Sequence, residues 1–249
     1  MNIYEQGQVE LLFCKSEHSI PLHSHDSWCI GIIREGEVLF RIKDQECLLK
    51  RGMLYIVPSN IGVTIRATCR YQYVTVCFKG TLREAFEEQN LNCYFLEVPD
   101  EDLFMKSCYD FMWNGSEDEL VSHFLEMLQP VFEKKPFEKQ KNRSEEIQKA
   151  VEYIQMHCEE KFDLDNVAQY TNLSKYHLVR LFKKEMGVTP NQYHIQNKLR
   201  VVKSELVMNQ DTAMIAADLN YADQSHLCKQ FKQFMGISPM VYRRNIRKK

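Results

Sequence analysis

Two stretches in the C-terminal half of the chain superimpose on each other. Val167-Ala168-Gln169-Tyr170-Thr171-Asn172 aligns with Ile215-Ala216-Ala217-Asp218-Leu219-Asn220, and the run from His177 to Pro190 aligns with the run from His226 to Pro239. The first block repeats at an offset of 48 residues and the second at 49, so one extra residue falls in the turn between them. Such a repeat restricts the fold, because each copy must be the same supersecondary unit with the same buried face. Each copy reads as a short helix, a tight turn at Asn172 or Asn220, and a second helix. Asparagine suits that turn because it tolerates the left-handed conformation. Gly187 and Gly236 stand where a helix C-cap is expected, and Pro190 and Pro239, three residues later, bar continuation. Helix, short turn, helix is the geometry in which the second helix enters the major groove of DNA.

The side chains divide accordingly. Leu178, Leu181 and Phe182, then Leu227 and Phe231, are assigned to the buried face. The opposite face carries Lys175, Tyr176, Val179, Arg180 and Lys183 in the first copy, and Gln224, Ser225, Cys228 and Lys229 in the second. Arg or Lys can donate to guanine, Gln pairs with adenine, and Tyr or Val can cover a thymine methyl. A plain helical hairpin with a solvated charged face is the alternative for one copy. Two copies in register, in the basic part of the chain, favour DNA. Residues 143–249 hold 17 Lys and Arg against 12 Asp and Glu, whereas the first 142 residues hold 15 against 22. The basic end, Arg243-Arg244-Asn245-Ile246-Arg247-Lys248-Lys249, adds to this only as part of the whole.

Composition excludes other classes. With 44% hydrophobic and 27% charged residues the chain is neither disordered nor collagenous. No apolar run reaches the roughly 18 residues that span a bilayer. The first residues lack a basic leader, so no signal peptide is expected. Nine cysteines with no two closer than eight residues apart give no metal knuckle and no disulfide framework. They read as reduced thiols in a cytoplasmic protein. A redox sensor at Cys14, Cys29 or Cys77 is disfavoured, since nothing nearby in sequence lowers a thiol pKa.

The N-terminal half reads as short strands. Trp28 to Ile33, Val38 to Lys43, Cys47 to Leu49, Met53 to Val57 and Tyr71 to Phe78 are apolar or alternating runs separated by turn residues. That spacing predicts an all-β barrel or sandwich. A helix follows: Ser116-Glu117-Asp118-Glu119 is a capping-box sequence, and Leu120, Phe124, Met127, Leu128 and Val131 recur at helical spacing. Pro130 should kink or end that helix. The stripe Leu120, Phe124, Met127 and Val131 is expected to pack against a partner chain, because it is too apolar to stay wet. The charged, aperiodic stretch 133–143 reads as an interdomain linker.

These residues carry a family resemblance. The stretch Ser144–Lys249 resembles the DNA-binding domain of the AraC/XylS transcription regulators, which implies seven helices and two helix-turn-helix units. Ile215-Ala216, Tyr221, Gln224-Ser225, Phe231-Lys232, Gly236, Ser238-Pro239 and Tyr242-Arg243 match the family signature, with Asn220-Tyr221 where it usually has Gly-Phe. The resemblance implies base contacts by Tyr176, Val179 and Arg180 and by Gln224, Ser225 and Lys229, with Lys175 and Lys183 beside them. Pro21-Leu22-His23-Ser24-His25-Asp26, then Gly36, Gly52 and Pro58, resembles the cupin sensor of many family members. The carboxylate and third histidine of metal-binding cupins fall near Cys29 or Ile30 and near Gly62. So no metal, cofactor or catalytic residue is expected. His23 and His25, two apart on a strand, would point to one face. With Trp28, Tyr55, Tyr71 and Tyr73 they are the candidate effector-binding residues.

The expected fold is α+β: a cupin-like effector-binding β-barrel (1–90), a helical dimerisation region and linker (91–143), and an all-α double helix-turn-helix domain (144–249). The expected function is sequence-specific promoter binding controlled by a small-molecule effector, by a cytoplasmic homodimer that works with RNA polymerase. The alternatives are a metal-dependent cupin enzyme with an accessory DNA-binding domain, and a DNA-binding protein whose front half only dimerises.

Overall fold

The computed structural model describes residues 1–42, 45–89, 91, 93–97, 101–132 and 144–248. The stretch 133–143, read above as a linker, lies outside them. In chain order the elements of the first half are β1 (Asn2–Gln6), β2 (Val9–Ser16), β3 (Ile20–His23), β4 (Trp28–Glu35), β5 (Glu37–Ile42), β6 (Gln45–Lys50), β7 (Met53–Val57), β8 (Val63–Ala67), β9 (Tyr71–Phe78), α1 (Gly80–Glu87), β10 (Phe95–Glu97), α2 (Glu101–Asn114) and α3 (Glu117–Leu128). The second half holds α4 (Glu145–Met156), α5 (Leu164–Thr171), α6 (Lys175–Met186), α7 (Pro190–Val207), α8 (Thr212–Asp218), α9 (Gln224–Met235), α10 (Pro239–Asn245) and β11 (Ile246–Lys248). The chain forms two compact units. The first contains the strands and helices of residues 1–132 and β11, without Ile20–Ser24, which groups with the helices of the second.

In the first unit the main sheet runs β10-β7-β4-β9-β2-β1-β11. It is antiparallel except where β11 joins β1. A second sheet sets β5 between β6 and β8. Strand alternation decides which residues meet which layer. Ile30, Ile32, Val74, Val76 and Phe78 point to the helices, where they form one core with Phe86, Phe104, Phe111 and Phe124. Gly31, Tyr55, Tyr73 and Thr75 lie on the opposite face, toward the second sheet, where the Phe40 ring stacks on Tyr55 at 4.5 Å.

The apolar stripe of α3 does not go to a partner chain. Leu120, Phe124, Leu128 and Val131 are buried in the unit's own core, and the Phe124 ring meets Phe104 edge-on at 5.1 Å and Phe78 at 5.7 Å. The sheet offers those residues a larger apolar surface than their sequence pattern discloses. Pro130 acts as expected: α3 stops at Leu128 and a 3-10 turn, Gln129–Val131, follows. Only half of the predicted capping box forms. Ser116 accepts from the Glu119 N–H at 3.4 Å, but the Ser116 N–H goes to Asn114 Oδ1 at 2.9 Å, and Glu119 instead accepts from Asn114 Nδ2.

The second unit is built around the long helix α7, with one hydrophobic cluster at its start. Ile147, Val151 and Ile154 of α4, Val167 of α5, Leu178 and Phe182 of α6, and Tyr193 of α7 form it. Beyond it, Ile215, Leu219, Leu227, Phe231 and Tyr242 are among the buried apolar residues of the α8–α10 region, with Phe231 edge-on to Tyr242 at 5.4 Å. At 1.5 Å per residue, α7 is about 27 Å long. It begins with a full capping box at Thr189 and Gln192 around Pro190.

Candidate nucleic-acid interface and effector site

The two repeat copies become α5-turn-α6 and α8-turn-α9. Asn172 and Asn220 both adopt the left-handed conformation, with φ of 55° and 52°. Gly187 and Gly236 end the second helices at φ of 73° and 72°. The one-residue difference in offset has a structural cause. The N-cap of α6 is Ser174, two residues after Asn172, whereas that of α9 is Asp223, three after Asn220. Each cap accepts from the third backbone N–H, of His177 and of His226.

On α6, Lys175, Tyr176, Arg180 and Lys183 are exposed and Val179 is half-buried, while Leu178 and Phe182 are buried. Tyr176 is 77% exposed, far beyond what a structural tyrosine needs. On α9, Gln224, Ser225 and Lys229 are exposed and Leu227 and Phe231 buried. Seven of these eight side chains are therefore displayed away from the helix cores. Lys175 differs from the rest: its Nζ is 2.9 Å from Asp165 Oδ1, which holds its pKa above the ordinary lysine value. Its ammonium is tethered to α5.

In the β unit Tyr55, Tyr71 and Tyr73 pack against their neighbours. Tyr55 Oη lies 2.5 Å from Thr75 Oγ1, and its ring occupies the space a side chain at residue 31 would need, which makes that residue glycine. The Tyr71 hydroxyl donates to the His18 carbonyl at 3.0 Å, and its ring stacks on Tyr73 at 5.7 Å. Burial holds the Tyr55 and Tyr73 phenols well above their usual range. Burial likewise raises the Cys14 thiol, so it is not a reactive thiolate. An open cleft of about 450 Å³ runs beside Tyr73, bordered by Lys15, Arg34, Arg51, Met105 and Tyr109. Arg34 and Arg51 share Glu101, at 3.4 and 2.5 Å. The Phe13 and Tyr109 rings stack at 6.3 Å on its wall.

A helix-turn-helix domain model matches residues 167–245, and an AraC-like ligand-binding domain model matches residues 8–103. The chain is similar to the HTH-type transcriptional regulator YbfI of Bacillus subtilis (strain 168), with 27% identity covering 83% of this chain and 81% of that protein. It is 30% identical to the HTH-type transcriptional activator AarP of Providencia stuartii, over 39% of this chain and 73% of that protein. Among solved structures it resembles ToxT from Vibrio cholerae O395 in fold, with a TM-score of 0.67 at 11% identity, covering 96% of this chain and 98% of that one. The chain is an AraC-family transcriptional regulator. It joins a helix-turn-helix DNA-binding domain to a ligand-binding domain.

For this AraC-family chain three of the effector residues expected from sequence need correction. Trp28 lies on the helix-facing side of the sheet, 1% exposed, with its ring stacked on Phe86 at 5.9 Å. It pairs in register with Phe78, so alternation places it opposite Tyr55 and Tyr73. His23 and His25 do not share a strand. β3 ends at His23, which is buried with Nδ1 2.8 Å from the Pro21 carbonyl oxygen. His25 lies beyond the strand, and its carbonyl accepts from the Asn60 N–H at 2.5 Å. Of the six, only Tyr73 borders the cleft. Among the described residues no three His, Cys, Asp or Glu side chains converge as a metal site would require. The basic and apolar residues of the cleft had no signature in sequence, because they come from β2, β4, β9, α2 and the turn before β7. No helix among the described residues is long and apolar enough to cross a membrane.

Proposed function

We propose that this regulator reads promoter DNA with α6 and α9 together, and that a small molecule held by its β unit changes that binding. The observation that carries the reading is the like construction of the two helices. Both follow a left-handed asparagine turn, both end on a left-handed glycine, and both expose hydrogen-bonding side chains on the face away from their cores. Tyr176, Val179, Arg180 and Lys183 make the base and near-base contacts of one block, and Gln224, Ser225 and Lys229 those of the other. Lys175, tethered to Asp165, serves the phosphate backbone instead. A linker helix of about 27 Å suits two heads placed one turn of the duplex apart, about 34 Å.

The cleft beside Tyr73 is our candidate effector site. Its volume is within the range of small-molecule pockets, about 300–1,000 Å³. A lining that combines Lys15, Arg34 and Arg51 with Met105 and Tyr109 suits an amphipathic organic acid. An unsaturated fatty acid is bound in one crystal structure of ToxT. Tyr55 and Tyr71 support Tyr73 from within rather than touching the effector. The protein acts in the cytoplasm as a homodimer and engages RNA polymerase. With the α3 stripe buried, the exposed Leu103 and Trp113 of α2 are candidates for subunit contact. No catalytic role is assigned.

The test is selection of duplexes from a randomised pool by the full-length chain. Two enriched blocks about one helical turn apart are expected. Enrichment of a single block, or of none, overturns the reading.

A further inference from the structure

Asn220 does more than close its turn. Glycine would adopt a φ of 52° at least as readily, but only a side chain can donate, and Asn220 Nδ2 donates to the Glu159 carbonyl at 3.0 Å, 61 residues earlier. The next carbonyl, of Glu160, accepts from Lys198 Nζ at 2.9 Å. Lys198 projects from α7 and is only 7% exposed, and its ammonium lies 5.6 Å from the centre of the Tyr221 ring. Tyr221 in turn meets the His226 ring of α9 edge-on at 5.5 Å.

Two successive carbonyls in the loop between α4 and α5 thus hold the linker helix and the second turn at one place. That loop is fixed to the first reading head, since α4 and α5 share a core with α6. An unbroken line of contacts runs from the α6 core through Glu159 and Glu160 to Asn220, Lys198 and Tyr221, and on to α9. Burying an ammonium is costly unless it is hydrogen-bonded. An apolar residue would fill that position on α7 at less cost, so the Lys198 contacts point to a role other than packing.

We propose that Lys198 and Asn220 are spacing residues: they fix the second reading helix against the first, and so set the number of base pairs demanded between the two blocks. The proposal rests on the two-head reading above. Inserting one base pair moves one block by about 3.4 Å along and about 34° around the duplex. A rigid pair of heads cannot follow that displacement without losing base contacts, whereas a loosened pair can.

The experiment uses the full-length chain and the duplex it selects, with the spacer between blocks shortened or lengthened by one base pair. For the parent, either change should weaken binding at least about tenfold, the loss of one good base contact. In the Asn220→Gly, Lys198→Met double variant the penalty should shrink to about threefold or less, while the parental spacing is bound only a few-fold more weakly. Asn220→Gly alone keeps the left-handed turn and should give an intermediate penalty. Lys198→Arg keeps a buried donor and should keep the strict spacing. If the double variant weakens all spacings alike, the bonds are merely structural and the proposal fails. If it discriminates as sharply as the parent, the proposal also fails. A parent indifferent to spacing would instead overturn the two-head reading itself, and this proposal with it.

Discussion

His194 should make the DNA-binding unit acid-sensitive within a defined window. It sits on α7, 5% exposed, with its ring 5.3 Å from Phe162. Burial is the main cause that pulls its pKa down to about 4, and the Lys198 charge adds to it, against a smaller opposing effect of a hydrogen bond to the Glu160 backbone. In the unfolded chain the imidazole titrates near 6.5. Between those values the unfolded state binds a proton that the folded state does not, so stability falls as pH drops. The effect is nearly absent above about pH 7, reaches about 2 kcal/mol by pH 5, and cannot exceed about 3.4 kcal/mol. The assay is urea unfolding of the full chain, followed by helical ellipticity at pH 7.5 and 5.0, for the parent and for His194→Gln. The glutamine cannot titrate, and comparing the two proteins cancels the contributions of other acidic and histidine residues. The parent should lose about 2 kcal/mol more than the variant on acidification. Equal losses in both would refute the reasoning, because His194 would then titrate alike folded and unfolded.

Further outcomes follow from particular contacts. Arg180→Ala should cost about 1–3 kcal/mol and relax preference in one DNA block only, and Lys229→Ala should do the same in the other; selection from pools randomised in each block would show both variants relaxing the same block if the assignment is wrong. Phe124→Ala should destabilise the β unit by about 3–5 kcal/mol, and Phe124→Asp should unfold it, so that calorimetry loses a transition and sedimentation does not show a folded monomer. Gly31→Ala should cost about 1–3 kcal/mol by driving a methyl into the Tyr55 ring, seen as a lower melting temperature; an unchanged value would mean that the ring moves freely. Protein purified without chelator should carry far less than one equivalent of transition metal, and stoichiometric metal lost in His23→Ala would revive the enzyme alternative.

The repeat was legible because helix-turn-helix units are specified locally. The left-handed asparagines, the C-cap glycines, the prolines that open α7 and α10, and the division of α6 and α9 into buried and exposed faces all follow from contacts within about a dozen residues. The inserted residue between the two offsets was visible too: it lengthens the second turn, so the N-cap follows its asparagine by two residues at Ser174 and by three at Asp223. The strands of the β unit were legible as strands, since alternation and turn residues are also local. What sequence could not determine was which face met which layer. Trp28 and Tyr73 look alike as pocket residues, yet the register that pairs Trp28 with Phe78 and Tyr73 with Ile33 sends them to opposite sides of the sheet. The α3 stripe is equally apolar whether it meets a second chain or its own sheet, and only the placement of Phe78 and Phe104 decided that it is core. The carbonyls of Glu159 and Glu160 carry no side-chain signal at all. Their partners lie 61 and 38 residues away, a separation that composition and periodicity do not reach and that only packing around α7 brings together.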